Sequence, residues 1–407
     1  MKLTQLKTIL DTVNSELFDT VDADGEVVAA VQVKEDLSNI VDVGKQVLDF
    51  TGSSNENFEK YMGKLIDQVG KQVFESRVYS SQAPKILKDS WEYGSIMQKV
   101  RASLPDVSEN KTWDLASMSN GDTLDPFVIT KPDVEAKFYN SKTTFEIPIT
   151  IARRQLESAM KSASALNSFI AMIENRIALK ATLCTDALIM RTINNLMAVK
   201  IHNGENVVDL RAAYNSFAGT NLTVQQCLNS KEFLAFSAKT MLLFKKYLSV
   251  PSNLYNTGEY VTFTNPDQLK VVVLADFAKN METILYSNTY HNEFVQLPGY
   301  EEVPYWQNNA GATTPAKDGD PVSQTVNDFA TISKINVTAT DGETTFEVAQ
   351  SGIVGVMFDN EAAAVCNEDV RTTSIYNPRG EYTNFFHKFD AAYLNDTAEN
   401  CVVFVIK

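Results

Sequence analysis

The sequence predicts an α+β fold in which helical and strand-rich stretches follow one another along the chain. Between Ile149 and Asn203 there is no glycine or proline, and apolar residues recur at helical spacing, which predicts one long helix. Residues 90–151 consist instead of strand-like runs broken by turn signals. The run 401–406 is nearly all apolar, as expected of a strand that is covered on both faces.

Composition and charge limit the classes of function. With 407 residues, of which 44% are hydrophobic, the chain can bury a core in two or three domains. Its 36 Lys and Arg against 51 Asp and Glu give a net charge of −15, which disfavours tight binding of nucleic acid. No apolar run approaches the roughly 20 residues of a membrane-spanning helix, and the start of the sequence lacks the pattern of a secretion signal. We therefore expect neither a membrane contact nor secretion by a standard signal.

The cysteines are far apart in the sequence and show no Cys-x-x-Cys spacing. We expect them to act as small buried hydrophobes, which suits a protein made in a reducing cytoplasm. They are Cys184, Cys227, Cys366 and Cys401.

The first part of the chain is predicted to be extended. Residues 1–89 form an arm with polar helices at 5–17, 37–49 and 57–73, separated by turn-rich pieces. Residues 90–151 then form a long β-hairpin.

The return limb of this hairpin is predicted at residues 138–151. Apolar and polar side chains alternate along it, which indicates a strand with one buried face. Pro148 lies within the limb and cannot donate a backbone hydrogen bond, so we expect an edge strand.

The long helix is expected to include about 38 residues and to span roughly 57 Å at 1.5 Å per residue. It has two apolar rows, so we expect both faces to be covered, one of them by a neighbouring subunit. The first row is Leu166, Phe169, Ile170, Ile173, Ile177, Cys184 and Leu188. The second row is Met172, Leu179, Leu183, Met190, Ile193 and Met197. A further helix is expected at residues 223–248.

From residue 255 onward the pattern indicates a mixed α/β domain. Residues 307–328 are rich in small and polar residues, as in an exposed insertion. The final strand, 401–406, is expected to tie the C-terminal end into the core. Other strands are expected at 260–264, 269–274, 332–338, 344–348 and 353–358, with a helix at 277–285.

Motifs for chemistry are missing from the sequence. The three histidines, His202, His291 and His387, have no metal ligand or nucleophile at a motif spacing. Phosphate-binding glycine loops and the serine nucleophile motif are also missing. We therefore predict no catalytic residue, no cofactor and no metal site, and we interpret carboxylate pairs such as Glu301-Glu302 as solvated surface.

One segment, residues 373–389, combines a strong turn signal with several aromatic residues. Two interpretations have equal weight: a buried hairpin, or a strand that carries an arginine and aromatic residues to another subunit, since both residue types are enriched in interface cores. The candidate intersubunit contacts are Asn377, Pro378, Arg379, Tyr382, Phe385 and Phe386.

The order Asn-Pro-Arg-Gly at 377–380, then aromatic residues, then a C-terminal apolar strand resembles the major capsid proteins of short-tailed, phi29-like bacteriophages. Residues 39–44 and 66–70 are similar to that family's arm, and residues 352–359 are similar to the strand before its final aromatic segment. The resemblance implies a Hong Kong 97-type capsid fold.

In that fold the sequence would divide into named parts. Residues 1–89 would be the N-terminal arm and 90–151 the extended hairpin loop. Residues 152–254, with the long spine helix and completed by about 371–392, would form a peripheral domain. Residues 255–370, completed by about 393–407, would form an axial domain. The segment 307–328 departs from the family pattern as an insertion.

The resemblance also implies a function and partners. The chain would assemble with itself, as hexamers and pentamers, into an icosahedral or prolate shell around double-stranded DNA. A scaffolding protein, a portal at one vertex and weak, non-specific contact with the packaged DNA would accompany it. Assembly would take place in the host cytoplasm.

Two other functions remain open at this point. The chain could be another virion component, such as a tail or decoration protein, which copy number in the virion would distinguish. It could also be an acidic enzyme with an unrecognised site within residues 255–407, which would need a pocket with convergent, pKa-perturbed groups.

Overall fold

A computed structural model describes residues 3–18, 20–21, 27–28, 32–34, 39–53, 57, 60–65, 83–88, 97–102, 119, 127, 129, 131, 134–139, 141–159, 163–204, 206–257, 260–286, 299–307, 330–338 and 345–407. The chain divides into two compact units. The first unit comprises Met1–Trp91, Lys142–Ile189 and Val365–Tyr393, and the second comprises Glu92–Ser141, Met190–Ala364 and Leu394–Lys407.

The described helices and strands alternate irregularly along the chain, as in an α+β protein. The helices are α1 Leu3–Phe18, α2 Ile40–Ser53, α3 Arg153–Ala159, α4 Ala163–Asn203, α5 Leu210–Ala218, α6 Val224–Asn229, α7 Lys231–Leu248 and α8 Ala275–Tyr286. The strands are β1 Thr20–Val21, β2 Val27–Val28, β3 Leu87–Lys88, β4 Met97–Ala102, β5 Val134–Tyr139, β6 Lys142–Ala152, β7 Val207–Asp209, β8 Leu269–Leu274, β9 Glu301–Val303, β10 Ile332–Thr338, β11 Thr345–Gln350, β12 Ile353–Asp359, β13 Ala363–Asn377, β14 Tyr382–Asn395 and β15 Cys401–Val405.

The long helix is confirmed. Helix α4 has 41 residues and ends at Asn203; the next residue, Gly204, has a φ of +67°, the left-handed conformation that glycine adopts readily after a helix. The helix predicted at 223–248 is wrong in one respect, because it is two helices. The Thr223 side chain and Gln226 form a capping box that starts α6, and the Ser230 side chain accepts a hydrogen bond from the backbone of Phe233 to start α7.

The first unit is built on a four-stranded sheet with the order β3-β13-β14-β6. Strand β6 lies at its edge, as Pro148 predicted, and pairs antiparallel with β14 from Lys142 to Ala152. The side chains of Ile147, Ile149 and Ile151 are buried on one face of β6. They join a hydrophobic core with buried residues of α1, α2, α3, α4 and the helical residues 60–65.

The predicted return limb of the hairpin, residues 138–151, is wrong. The partner of β4 is β5, with Met97 opposite Tyr139 and Ala102 opposite Val134. After Ser141 the chain enters β6, which pairs with β14 instead. The alternation continues on both sides of this change, so the sequence pattern could not reveal that the strand partner switches.

The second unit contains a five-stranded sheet with the order β7-β15-β12-β8-β9. Strand β12 is antiparallel to both neighbours, whereas the outer pairs β15–β7 and β8–β9 are parallel. All residues of β12 and β15 are buried, which confirms the prediction that the final strand is covered on both faces. Helices α5 and α8 pack against this sheet, and α7 packs on both helices.

The remaining predictions for the second part of the chain have mixed outcomes. The helix at 277–285 and the strands at 269–274, 332–338, 344–348 and 353–358 are confirmed within one to two residues. The strand predicted at 260–264 is wrong, because that segment makes only an isolated bridge between Ser252 and Thr262. The predicted insertion 307–328 lies outside the described residues except for Gln307.

The names of the predicted domains stay predictions. The observed units do not change at residue 254, because α5 and α7 pack with the sheet of the second unit or its helices. Cys227, Cys366 and Cys401 are buried and Cys184 is partly buried, all as free thiols, in line with the expected hydrophobic role. Across the described helices, none combines the length and apolarity needed to cross a membrane.

Candidate assembly surfaces

The turn between β13 and β14 is held by Asn377. Its side-chain oxygen accepts hydrogen bonds from the backbone N–H groups of Arg379 at 3.1 Å and Gly380 at 3.2 Å. Its amide nitrogen donates to the Tyr382 hydroxyl at 2.9 Å. An asparagine that bonds the backbone just ahead of it is typical of a tight turn, so the turn signal of this motif is confirmed.

The candidate intersubunit contacts differ in exposure. Phe385 is 0% exposed and belongs to the core of the first unit, so its side chain leaves no surface for another subunit. For Phe385 the structure supports the buried-hairpin interpretation. The other candidates keep exposed surface, and their contact role stays a prediction; they are Asn377, Pro378, Arg379, Tyr382 and Phe386.

Strand β14 carries the partly exposed Phe386 in an outward row that is otherwise rich in polar contacts. In this row Lys388 pairs with Glu146 at 3.3 Å, and Asp390 receives two hydrogen bonds from Arg371 at 2.7 and 3.2 Å. The Arg371 hydrogen bonds are the main reason that the pKa of Asp390 is lowered. These polar pairs fix the outward row around Phe386.

The two-stranded ribbon β4–β5 has an apolar face that is exposed. Val100 is 59% exposed, Val134 56% and Phe138 64%. Ala102 and Ala136 lie on the same face and are also exposed. A soluble monomer normally turns such a face inward, so its exposure marks a candidate interaction surface.

The opposite face of the ribbon is charged and lies against its own unit. Lys99 Nζ is 2.5 Å from Glu399 and 3.3 Å from Asp396, and Arg101 Nη2 is 2.5 Å from Glu399 and also paired with Asp396. We call these four residues the ionic cluster. Their side chains are between 1% and 16% exposed, so the cluster is largely shielded from water.

Neighbouring groups respond to the charges of the ionic cluster. Burial alone would lower the pKa of Lys99, but hydrogen bonds to Glu399 and Glu361 outweigh it, so the pKa is raised. Burial, followed by the charge of Asp396, raises the pKa of Tyr139. Sequence analysis missed this cluster, although the alternation of Lys99 and Arg101 with apolar residues signals a strand with one charged face.

Asp359, at the end of β12, is an unfavourably placed carboxylate in the same unit. Burial raises its pKa, and the charges of Glu399 and Glu361 add to this effect. Hydrogen bonds from the Glu361 backbone, at 2.8 Å, and from the Thr264 side chain oppose the shift only in part. The ionised form of Asp359 is therefore less favourable in the folded protein than in the unfolded chain.

Replacing Asp359 by asparagine is expected to stabilise the second unit at pH 7. A raised pKa means that the folded state binds the proton more tightly, so wild-type stability falls as the pH rises through the ordinary carboxyl pKa of 3.8. The asparagine oxygen still accepts the Glu361 hydrogen bond. We expect a higher urea midpoint than wild type at pH 7 and a smaller gain near pH 3.5. Asp267→Asn, at an exposed position, is the control, and a less stable Asp359→Asn variant at pH 7 would contradict the argument.

The second apolar row of α4 is only partly covered. In the first unit Met172 is 38% exposed, Leu179 50% and Leu183 48%, whereas in the second unit Ile193 and Met197 are buried. The first half of this row is therefore not covered within the single chain, and its predicted cover by a neighbouring subunit stays a prediction. This half is a further candidate interaction surface.

Among the residues that the structure describes, no group of three or more His, Cys, Asp or Glu residues could hold a metal ion. His387 is buried beside the Thr372 hydroxyl at 3.1 Å, and His202 stacks on Phe346 with ring centroids 4.3 Å apart. Both histidines therefore pack against neighbouring side chains of the same chain.

Comparison with known proteins agrees with the resemblance in the sequence. The model of the family described as Phi29-like phage major capsid protein matches residues 20–405. The capsid structure of Staphylococcus phage Andhra is similar with a TM-score of 0.50 and 10% identity, over 81% of this chain and 86% of that chain. The capsid structure of cyanophage P-SCSP1u gives a TM-score of 0.39 and 12% identity, over 80% and 87%. No curated protein sequence matches the chain. The likeness to the first of these structures shows that this chain has the fold of a phage capsid protein, which the sequence predicted to be of the Hong Kong 97 type.

Proposed function

The chain belongs to the family of Phi29-like phage major capsid proteins and is therefore a subunit of a phage shell, which we propose it builds from hexamers and pentamers of itself. The closed shell, icosahedral or prolate, holds double-stranded DNA. Rings of this kind close because each copy contacts the next through two different surfaces. The family match over residues 20–405 is the observation that carries this function.

The other partners follow from the same proposal. A scaffolding protein guides assembly, and a portal occupies one vertex. The packaged DNA touches the shell by weak, non-specific contact, which the net charge of −15 supports because a strongly acidic chain repels phosphate. Assembly takes place in the host cytoplasm, where the free cysteines stay reduced. The role is structural, without a catalytic step or cofactor.

Contact between copies is supported by the exposed apolar face of the ribbon. Its three large side chains, Val100, Val134 and Phe138, are each more than half exposed in the single chain. Burying an apolar side chain of this size contributes about 1.5–3 kcal/mol. A neighbouring copy is the partner that a shell subunit meets in the highest local number, so we propose that it covers this face.

The double variant Val134→Thr/Phe138→Ser is expected to raise the concentration needed for shell formation at least about tenfold, since each 1.4 kcal/mol of lost contact is a factor of ten. Both positions are exposed, so the free energy of unfolding of the isolated chain should change little. The measurement is light scattering and electron microscopy of the chain with its scaffolding protein.

A matched control is Phe217→Ser, the same change at a phenylalanine that is 71% exposed at the end of α5. It should leave the assembly concentration near that of wild type. If the ribbon variant forms shells at the same concentration as wild type, the apolar face of the ribbon is not a contact between copies.

A further inference from the structure

We infer that the ionic cluster of Lys99, Arg101, Asp396 and Glu399 positions the ribbon: it holds the charged face on the ribbon's own unit and so fixes the direction in which the apolar face is offered to a second copy of the chain. This inference rests on the proposed function, because it concerns how one subunit is prepared for the next.

The geometry of the cluster fits a positioning role. Lys99 and Arg101 are two residues apart on β4, so their side chains leave the strand on the same side. Both reach the turn between β14 and β15, where Asp396 and Glu399 lie 295 to 300 residues later in the sequence. Each cation touches both carboxylates, which fixes the ribbon at two points along its length.

The turn that supplies the carboxylates is itself firmly held. The Asp396 backbone N–H donates to the carbonyl of Ala362 at 2.8 Å, and the Asp396 side chain accepts a hydrogen bond from Ala398 N–H at 3.1 Å. The carboxylates are therefore presented by a rigid support. Lys99 and Arg101 bind these carboxylates, so the position of the ribbon is set by a turn that is fixed to the rest of the unit.

Outside the ionic cluster, Lys99 also pairs with Glu361 at 2.9 Å, so the same strand β4 supplies this tie as well. The ribbon forms a sheet of two strands only, β4 and β5, and pairs with no third described strand. Exposed ion pairs contribute little, but here Asp396 is 1% and Glu399 10% exposed, and removing one partner leaves a buried charge uncompensated. The ionic cluster is therefore a largely buried attachment of the ribbon to its own unit.

The attachment decides which face points away from the unit. In the antiparallel register, Val100 lies opposite Ala136, and Ala102 opposite Val134, on the face that the cluster does not use. Because side chains alternate across a strand, fixing one face inward fixes the other outward. Without the cluster the ribbon would still pair internally, but its apolar face would lose a defined direction.

The test compares amide hydrogen exchange in the full-length, unassembled chain with shell formation by the same samples. In Arg101→Met, and in Asp396→Asn, which keeps the side-chain oxygen that accepts from Ala398, we expect exchange in β4 and β5 to speed up at least tenfold while β12 and β15 keep wild-type exchange. Shell formation should slow at least tenfold. Arg101→Lys, which keeps the charge, should restore part of both.

Lys137→Met is the matched control, because it removes a cation from the same face of the ribbon whose described ion pair, at 3.8 Å, is with Glu135 on the same strand. It should leave both readouts near wild type. Asp396→Asn could also speed up amide exchange in β15, and the Lys99→Met variant then provides the test. In Lys99→Met we expect exchange at least threefold faster in β4 and β5 and unchanged in β15.

The outcomes separate the inference from the proposed function. Unchanged ribbon exchange in Arg101→Met and Lys99→Met overturns the inference. So does faster ribbon exchange with shells that form at the wild-type rate, because the cluster would then hold the ribbon without preparing it for a partner. Wild-type chain that forms no shells with its scaffolding protein would instead refute the proposed self-assembly, whatever the exchange data.

Discussion

Replacing Gly352 by alanine is expected to destabilise the second unit by about 3 kcal/mol or more, because overpacking costs about 1–3 kcal/mol and a side chain in the left-handed conformation adds a strain of about 1–3 kcal/mol. Gly352 has a φ of +71°, and a Cβ added there would overlap the backbone carbonyl oxygen of Ile406. Neither side can move easily, because Ile406 N–H donates to the Gly352 carbonyl at 2.8 Å and the adjoining β12 is buried throughout.

Gly219→Ala is the control for this prediction. Gly219 follows α5 with a φ of +65°, but no atom lies within 4 Å of the Cβ position. The destabilisation of Gly219→Ala should therefore stay near the conformational penalty of about 1–2 kcal/mol that an L residue has in the left-handed region. Urea unfolding of the unassembled chain measures both variants. Equal losses in the two would mean that conformation alone, and not the overlap with Ile406, sets the requirement for glycine at 352.

Phe385 and Phe386 are neighbours on β14, but their replacement by alanine is expected to affect different properties. Phe385→Ala should lower the stability of the chain, and Phe386→Ala should weaken assembly. Phe385 is fully buried in the core of the first unit, so its truncation should cost about 3–5 kcal/mol of stability. Phe386 points outward opposite Pro148 and is only partly buried. Its truncation should leave most of the stability intact and, if a neighbour covers it, should weaken assembly.

Two measurements on each variant distinguish these roles. The urea midpoint of the isolated chain should fall strongly for Phe385→Ala and slightly for Phe386→Ala, and the assembly concentration of the folded Phe386→Ala chain should rise. A Phe386→Ala variant that assembles like wild type would leave the intersubunit prediction to the exposed turn residues, Pro378 and Arg379. A large stability loss for Phe386→Ala would place it in the core as well.

Elements whose evidence is local could be predicted from the sequence. The long helix α4 follows from an uninterrupted apolar period, and β8, β12 and β15 follow from short apolar runs. The division between α6 and α7 was also encoded locally, in the Thr223 and Gln226 capping box and in Ser230, but the continuous apolar period hid it. Local signals therefore located most of the regular structure.

Elements that depend on distant partners could not be predicted. Alternation places Phe145 on the buried face of β6, yet says nothing about whether that strand pairs with β4 or β14. The ionic cluster joins Arg101 to Glu399, 298 residues apart, and a sequence offers too many possible charge pairs to single out that one. The same limit applies to the candidate site: the turn at Asn377 was visible, whereas the burial of Phe385 within its own unit was not.

The position of β15 also affects how the protein is made. This strand is the last of its sheet along the chain, yet it lies between β7 and β12, and its parallel partner β7 precedes it by almost 200 residues. During translation β7, β8 and β12 leave the ribosome before the strand that joins two of them. Contacts of such long sequence separation form slowly, so the sheet is completed only after residues 401–405 have emerged. A nascent chain in which residues 401–405 have not yet emerged therefore has an unfinished second unit, and we expect the unpaired edge of β12 to be the surface that chaperones protect until β15 pairs with it.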